Sequence, residues 1–198
     1  MADNSTAREP TSADSKKPYE VTPLDHKKHD RAAFSSGIRS IDNYLKLTAK
    51  KHDLHDHAKI FVVTEDNSDR VVGFYALSSH SVSKKIVPIN IANNSPSHGR
   101  IPCVFLSMIG VDAAHQGKGL GTGLLIDAMS RIARRSADVG TAAIVLDVLV
   151  DAEDDEETLR RRLKFYEVMG FVATLDDPKR LVISIKDVRA SLAAAELI

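Results

Sequence analysis

Apolar residues recur every three to four positions in four stretches of the chain, a spacing that predicts four amphipathic helices. The first stretch covers residues 38–48, and the second begins at Leu120. The third begins with the acidic segment 151–157 and stops at Gly170, and the last covers the alanine-rich residues 188–197. Negative charge suits the amino-terminal end of a helix dipole, and glycine is a typical helix stop.

Strands are predicted where apolar runs are bounded by turn residues. The predicted strands cover residues 60–64, 71–77, 101–111, 142–150 and 181–185. The first two flank a polar turn and form an antiparallel hairpin pattern. The runs 101–111 and 142–150 contain few polar residues, which indicates burial on both faces. The turn-rich segment 84–100 is predicted to be a surface loop, either near a functional cleft or poorly ordered. Because strands and helices intermingle, we expect a mixed α/β sheet flanked by helices.

The composition is that of an ordinary globular protein, with 198 residues, 43% of them hydrophobic. Lys plus Arg equals Asp plus Glu at 27 each, so no overall charge excess indicates a polyanionic partner. No apolar run reaches the roughly 18 residues of a membrane span, and the polar segment 1–18 lacks the apolar stretch of a signal peptide. We expect a disordered tail over 1–18, one domain over 19–198 and a cytoplasmic location. The single Cys103 fits a reducing compartment.

The segment that most strongly suggests chemistry is 116–123, which reads Gln-Gly-Lys-Gly-Leu-Gly-Thr-Gly. It lies between the predicted strand 101–111 and the helix that begins at Leu120. Glycines permit a tight turn and leave no Cβ between the main-chain amides and a ligand. The free amides of a first helical turn, together with the helix dipole, form an anion site. We therefore expect a diphosphate here, and a glycine-rich turn without a ligand is the alternative.

Two familiar nucleotide motifs do not fit this segment. A Walker loop requires Ser or Thr directly after its Gly-Lys pair, but Gly119 follows Lys118. A Gly-x-Gly-x-x-Gly fingerprint would need glycine at Thr122 or at Leu124, depending on where it begins.

A different motif fits: Gln116, Gly119 and Gly121 match the pattern Gln/Arg-x-x-Gly-x-Gly/Ala. The segment resembles the coenzyme A motif of the GNAT superfamily of N-acetyltransferases. A second segment, 164–171, reads Lys-Phe-Tyr-Glu-Val-Met-Gly-Phe and resembles the Phe-Tyr-x-x-x-Gly-Phe ending of that superfamily. The resemblance implies the GNAT fold, an α/β (α+β) domain whose mixed central sheet is splayed between two strands and flanked by helices.

The resemblance also implies an activity, the transfer of an acetyl group from acetyl-CoA to a primary amine by direct attack, without a metal. A backbone amide near Ile109 would stabilise the oxyanion. Tyr166 would be the catalytic general acid that protonates the departing thiolate, and a packed aromatic side chain is the alternative. The cofactor-binding residues that it implies are Ile109, Val111, Gln116, Gly117, Lys118, Gly119, Gly121 and Thr122.

The sequence identifies no general base. His80, Asp147 and Glu167 are candidates, but their spacing does not distinguish them from ordinary surface or core-edge residues. An α-amine is about 10–20% neutral at pH 7 and needs little help, whereas a lysine amine is about 0.04% neutral. The three histidines within 52–57 are close enough to suggest a metal, but no cysteine or matched acidic ligand supports a zinc site, so we expect a solvated connector.

A narrower resemblance covers about residues 19–190. Segments 34–37 (Phe-Ser-Ser-Gly) and 41–45 (Ile-Asp-Asn-Tyr-Leu) resemble the opening of the bacterial GNAT toxins of type II toxin–antitoxin pairs. Those toxins acetylate the α-amine of aminoacyl-tRNA and are neutralised by a ribbon-helix-helix antitoxin. Residues 107–111 read Ser-Met-Ile-Gly-Val here, where the toxins usually have Gly-Arg-Leu-Ala-Val, so an arginine is absent.

Six arginines on two predicted helices provide a candidate surface for tRNA phosphates, and solvated helix faces are the alternative. They are Arg131, Arg134, Arg135, Arg160, Arg161 and Arg162. Three functions stay open on the sequence. The first is a toxin that acts on charged tRNA, with an antitoxin partner and a possible homodimer. The second is a GNAT enzyme for a small-molecule or protein amine, and the third is a non-catalytic CoA-sensing module.

Overall fold

The computed structural model describes residues 19–93, 95–152 and 154–197. The tail predicted over 1–18 lies outside the described residues. In chain order the elements are β1 (Thr22–Pro23), α1 (Arg39–Asn43), a π-helical turn (Tyr44–Thr48), α2 (Ala49–Leu54), β2 (Lys59–Thr64), β3 (Val71–Ser83), α3 (Ile89–Ala92), β4 (Arg100–Val111), a 3₁₀ turn (Ala113–His115), α4 (Leu120–Arg135), β5 (Ala143–Asp147), α5 (Glu156–Val168), β6 (Val172–Ala173), β7 (Arg180–Ser184) and α6 (Ile185–Ala194).

The strands form a single mixed sheet in the order β1-β2-β3-β4-β5-β7-β6. The predicted hairpin is confirmed, because β2 and β3 pair antiparallel with Phe61 opposite Tyr75. β4 and β5 are parallel, and α4 connects them as a crossover helix, while the other neighbouring strands are antiparallel. The predicted mixed α/β sheet is therefore confirmed.

Helices cover both faces of this sheet because each carries one apolar stripe. On one face α4 buries Leu124, Leu125 and Ile132, which are at most 4% exposed, against β3 and β4. On the other face the segment from α1 to α2 buries Ile41 and Leu45 in a separate apolar cluster. Among the described residues no helix is long and apolar enough to cross a membrane.

The sheet opens in its middle, between β4 and β5. The two strands pair only where Cys103 to Leu106 face Ala143 to Leu146, and β4 then continues alone to Val111. Against β3, Ala76 faces Met108 and Leu77 faces Leu106, so Ser107 is the extra residue of a β-bulge. A bulge bends its strand and increases the local twist. The gap expected between two splayed strands therefore begins at Ser107.

The segment 84–100 does not lie near this gap. Ser83 and Arg100 face each other in the β3–β4 ladder, at the opposite end of β4 from Val111. The segment contains the short helix α3, and the Ile86 carbonyl accepts a hydrogen bond from the Leu175 amide at 2.7 Å. The prediction that this loop borders a functional cleft is wrong, because β4 is twelve residues long and separates the two ends.

Candidate active site

A cleft of about 350 Å³ occupies the gap between β4 and β5. Its floor is formed by β4 from Leu106 to Val111 and by the end of β5 with the residues that follow it. α1 contributes Ile38 and Ile41 to one wall, and α5 contributes Phe165 and Tyr166 to the other. The cleft brings together five of the predicted site residues, which are Ile109, Val111, Gln116, Gly121 and Tyr166.

The glycine-rich segment forms a loop that leads into α4 at one end of the cleft. Gly117 and Gly119 have φ values of +74° and +82°, in the left-handed region that favours glycine. Gly119 is the N-cap residue of α4, which is 16 residues long. Within the described chain, no main-chain amide from Gly117 to Thr122 donates a hydrogen bond to a protein acceptor. Free main-chain donors at the amino terminus of a helix, together with the helix dipole, are the features that favour an anion.

The two polar side chains of this loop brace it. The Gln116 side-chain amide donates to the Ser36 carbonyl at 2.9 Å and to the Val111 carbonyl at 3.0 Å. It thereby connects the end of β4 with the segment before α1. The Lys118 ammonium donates to the Ala114 carbonyl at 3.0 Å, and its side chain is exposed. Both side chains thus donate to main-chain carbonyls, and neither of them is hydrogen-bonded to the loop amides.

Asp112 holds the glycine-rich loop in place through hydrogen bonds to the segments on either side, although its role was not predicted from the sequence. Its carboxylate is 3% exposed and accepts hydrogen bonds from the Ser35 and Ala114 amides, both at 3.1 Å. Burial raises the pKa of this carboxyl, but the two amides and Arg70 outweigh burial and hold the pKa below its ordinary value. The charged carboxylate therefore stabilises the turn. The sequence feature that could have identified Asp112 is its position directly after the buried strand β4.

The unpaired edge of β4 offers a second set of main-chain donors and acceptors. From Ser107 to Val111 the strand has no β5 partner, so the main-chain groups on that side are not used in a ladder. Ile109 and Val111 lie in this stretch and line the cleft. An extended, amide-containing molecule can pair with such an edge as an added strand would.

Tyr166 lies on α5 with its ring in the cleft wall. Phe165 and Phe171 contact the ring edge-on, with centroids at 5.0 and 6.1 Å. Burial raises the pKa of the Tyr166 phenol to about 12, and Arg162 opposes the shift. The hydroxyl is therefore protonated at neutral pH and is a hydrogen-bond donor. Arg162 fixes this part of the wall by donating to Asp154 at 2.5 Å and to the Leu149 carbonyl at 3.1 Å.

None of the three candidate general bases, His80, Asp147 and Glu167, is free to accept a proton in the cleft. Asp147 lines it, but its carboxylate accepts two hydrogen bonds from Arg180 at 2.7 and 2.8 Å. Glu167 is exposed and pairs with Lys164, and His80 lies on the other side of the bulge, opposite Cys103. Burial raises the pKa of the Cys103 thiol to about 11, so Cys103 is a core residue. The described part of the chain holds no cluster of three or more metal-ligating side chains.

The six arginines of the predicted phosphate surface divide into two groups. Arg131 is engaged: it donates to Asp127 at 2.7 Å and to the Val21 carbonyl at 2.9 Å, and it stacks on Phe61. Arg162 is engaged with Asp154, and Arg160 pairs with Glu157. The remaining three arginines, Arg134 and Arg135 at the end of α4 and Arg161 at the cleft, are exposed.

Known proteins are similar to this chain in sequence and in fold. The family of the acetyltransferase (GNAT) domain matches residues 56–173. The chain is 41% identical over 170 residues to a probable toxin, TacT, of Sinorhizobium fredii, with 86% of this chain and 93% of that protein covered. It is 37% identical over 161 residues to a tRNA-acetylating toxin of Mycobacterium tuberculosis, with 81% and 89% covered.

Among solved structures, one similar fold is a tyrosine-to-phenylalanine mutant of the toxin AtaT bound to the C-terminus of the antitoxin AtaR and acetyl-CoA. The TM-score is 0.70 at 18% identity, with 88% of this chain and 98% of that chain covered. The match to the family model extends over more than half of the chain and includes β4, the glycine loop and Tyr166. The chain therefore belongs to the GNAT acetyltransferase family and is an acetyl-CoA-dependent N-acetyltransferase.

Proposed function

We propose that this enzyme transfers the acetyl group of acetyl-CoA to the α-amine of aminoacyl-tRNA and thereby blocks translation. One observation carries the proposal: a single cleft combines free loop amides, an open strand edge and a protonated tyrosine. The similar protein of Mycobacterium tuberculosis is a tRNA-acetylating toxin, which favours charged tRNA over a small-molecule or protein amine.

The cleft has the donors and the shape that acetyl-CoA needs. The amides from Gly117 to Thr122 would hold its diphosphate, since they have no protein acceptor and lie at a helix amino terminus. The unpaired edge of β4 at Ile109 and Val111 would hydrogen-bond the amides of the pantetheine arm. Gln116 and Lys118 would act by bracing the loop through the Ser36, Val111 and Ala114 carbonyls.

Acetyl-CoA supplies an activated acetyl group as a thioester. A main-chain amide of the bulged segment near Ile109 would donate to the thioester oxygen, where negative charge develops during attack. Tyr166 would donate its phenolic proton to the departing sulfur. Its raised pKa keeps the proton in place until then, and its position in the wall excludes water from one side. Tyr166 would regain the proton from the attacking nitrogen, which loses one as the amide forms.

Among the described residues that line the cleft there is no free carboxylate or imidazole, which fits an α-amine substrate. Asp147 is occupied by Arg180, and an α-amine is already about 10–20% neutral at pH 7. A lysine amine, about 0.04% neutral, would need a base. Arg161 is exposed at the cleft and, with Arg134 and Arg135, would contact tRNA phosphates. Charged tRNA as substrate also implies a cytoplasmic location.

The structure of AtaT in complex with the antitoxin AtaR supports a protein partner of the same kind for this chain. We infer a ribbon-helix-helix antitoxin that neutralises the enzyme. Co-expression of a small ribbon-helix-helix protein encoded next to this gene should restore growth to cells that produce the enzyme.

Growth and tRNA chemistry test the proposed function directly. Induced expression of the unmodified chain in a bacterium should stop growth, and mass spectrometry of isolated tRNA should detect acetylated aminoacyl ends. Tyr166→Phe should lower acetyl transfer by about 10²- to 10⁴-fold, the usual contribution of an acid–base group, and should permit growth. Tyr19→Phe removes a hydroxyl outside the cleft and should behave like the unmodified chain.

Each outcome separates the candidate functions. Growth without acetylated tRNA, combined with acetyl transfer to small amines in vitro, would support a small-molecule enzyme and contradict the tRNA proposal. Unchanged turnover in Tyr166→Phe would remove Tyr166 from the mechanism. Binding of acetyl-CoA without transfer to any amine would identify a CoA-sensing module.

A further inference from the structure

A buried hydroxyl lies directly behind the bulge, and the mechanism described so far does not use it. Tyr44 is the first residue of the π-helical turn and is 8% exposed. Its ring packs between Phe74 and His52, with centroids at 6.3 and 5.5 Å. Within the described residues its hydroxyl oxygen is fully enclosed and has no hydrogen-bond partner. Buried polar atoms are nearly always paired, so this one requires an explanation.

The neighbour of this hydroxyl is Ser107, the extra residue of the bulge in β4. Ser107 is half-buried and lines the cleft where β4 and β5 separate. Its hydroxyl donates to the Ala76 carbonyl on β3 at 3.3 Å. The bulge therefore places Ser107 at the cleft and next to Tyr44.

The hydrogen-bonding capacity of the two hydroxyls determines what Ser107 can offer. Burial raises the pKa of the Tyr44 phenol, although the Ser107 hydroxyl opposes the shift, so Tyr44 carries its proton and is a donor. A serine hydroxyl has one donor and two acceptor lone pairs. The Ala76 carbonyl accepts the one donor, and the neighbouring Tyr44 hydroxyl would donate to one lone pair. The second lone pair is left for the cleft.

We propose that Ser107, oriented by Tyr44 and by the Ala76 carbonyl, accepts a hydrogen bond from the attacking amine and aligns it with the acetyl group. Ser107 is thus a specificity-determining residue for N–H donors, and Tyr44 is a positioning residue that acts through it. Long hydrogen bonds of an unliganded site often shorten in the complex, which accounts for the unpaired Tyr44 hydroxyl. This inference rests on the proposed function and names how the same site recognises its acceptor.

Steady-state kinetics with the full chain test this role, using acetyl-CoA with two amine probes, bulk charged tRNA and phenylalaninamide. Ser107→Ala should lower kcat/KM for the amine about fivefold to tenfold, the effect of one lost hydrogen bond. Calorimetry should show acetyl-CoA binding within about twofold of the unmodified chain. Ser107→Thr keeps the hydroxyl and should restore the amine's kcat/KM. Ser79→Ala, an exposed serine on β3 outside the cleft, should change nothing.

A double-mutant cycle separates positioning from ordinary packing. Tyr44→Phe should lower kcat/KM for the amine about twofold to fourfold, because the Ser107 hydroxyl then turns freely. The Tyr44→Phe, Ser107→Ala double variant should be no worse than Ser107→Ala alone, since Tyr44 acts only through Ser107. Effects that multiply, or full activity in Ser107→Ala, would overturn the inference while leaving the proposed function intact. No transfer to either probe by the unmodified chain would remove both.

Discussion

Gly119 combines a conformational and a chemical requirement at one residue. Its φ of +82° is costly for residues with a side chain, and it caps the helix whose first amides are free. A Cβ built on Gly119 would meet nothing within 4 Å, so the backbone conformation, and not crowding within the protein, explains the glycine.

Gly119→Glu should therefore abolish acetyl-CoA binding, because it places bulk and negative charge at the diphosphate position. Gly99→Glu is the matched control: Gly99 also has a positive φ, +74°, but lies at the far end of β4. Both variants carry a similar backbone strain of about 1–3 kcal/mol, so they should melt at similar temperatures. Calorimetric titration should show binding only to the control, and binding to Gly119→Glu would exclude the loop as the diphosphate site.

At the scale of elements, the 3₁₀ turn between β4 and the glycine loop depends on Asp112. Its carboxylate connects this turn to Ser35 in the segment before α1 and to Ala114 within the turn. The same segment before α1 is also joined to β4 through Gln116. Two side chains therefore set the position of the loop relative to the cleft wall.

Asp112→Asn should lower the free energy of unfolding by about 1–3 kcal/mol at pH 7, because a neutral amide cannot replace both acceptor oxygens. The pKa of Asp112 is lowered in the fold, so its contribution is present above the ordinary value of 3.8 and is lost as pH falls through the lower folded value. Urea unfolding should show the difference from wild type narrowing below about pH 4. The exposed Asp138→Asn should show no difference at either pH. A constant Asp112→Asn deficit would contradict the ionic role.

At the scale of the whole molecule, α4 holds the central strands together and carries the anion site at its amino terminus. Leu124 is fully buried on this helix, and its side chain packs against Gly73 of β3. Stability of the core and geometry of the loop thus depend on the same helix.

Leu124→Ala should lower the free energy of unfolding by about 2–5 kcal/mol through lost burial and a cavity. Leu47→Ala, at a position 76% exposed in the π-helical turn, should change it by less than about 0.5 kcal/mol. Urea titrations followed by circular dichroism measure both. Equal small effects would mean that α4 does not pack as described.

The sequence by itself determined where the helices and strands lie and which residue types stand at their ends. Periodicity placed the helix at Leu120 and the strand ending at Val111, because apolar spacing reports which face of an element is buried. The glycine run indicated an anion site, since positive φ and free amides are local properties of the chain. Tyr166 was predicted from its motif, and it lies in the cleft wall.

Only the tertiary structure decided how these parts meet. The bulge at Ser107, the early end of the β4–β5 pairing and the enclosed Tyr44 hydroxyl depend on register and packing between distant segments. Asp147 was one of three candidate general bases in the sequence, but its carboxylate accepts two hydrogen bonds from Arg180 on a neighbouring strand. Asp112 gained its role from Ser35, 77 positions away. Local patterns encode what each element is, whereas contacts between remote residues determine which groups stay free for chemistry.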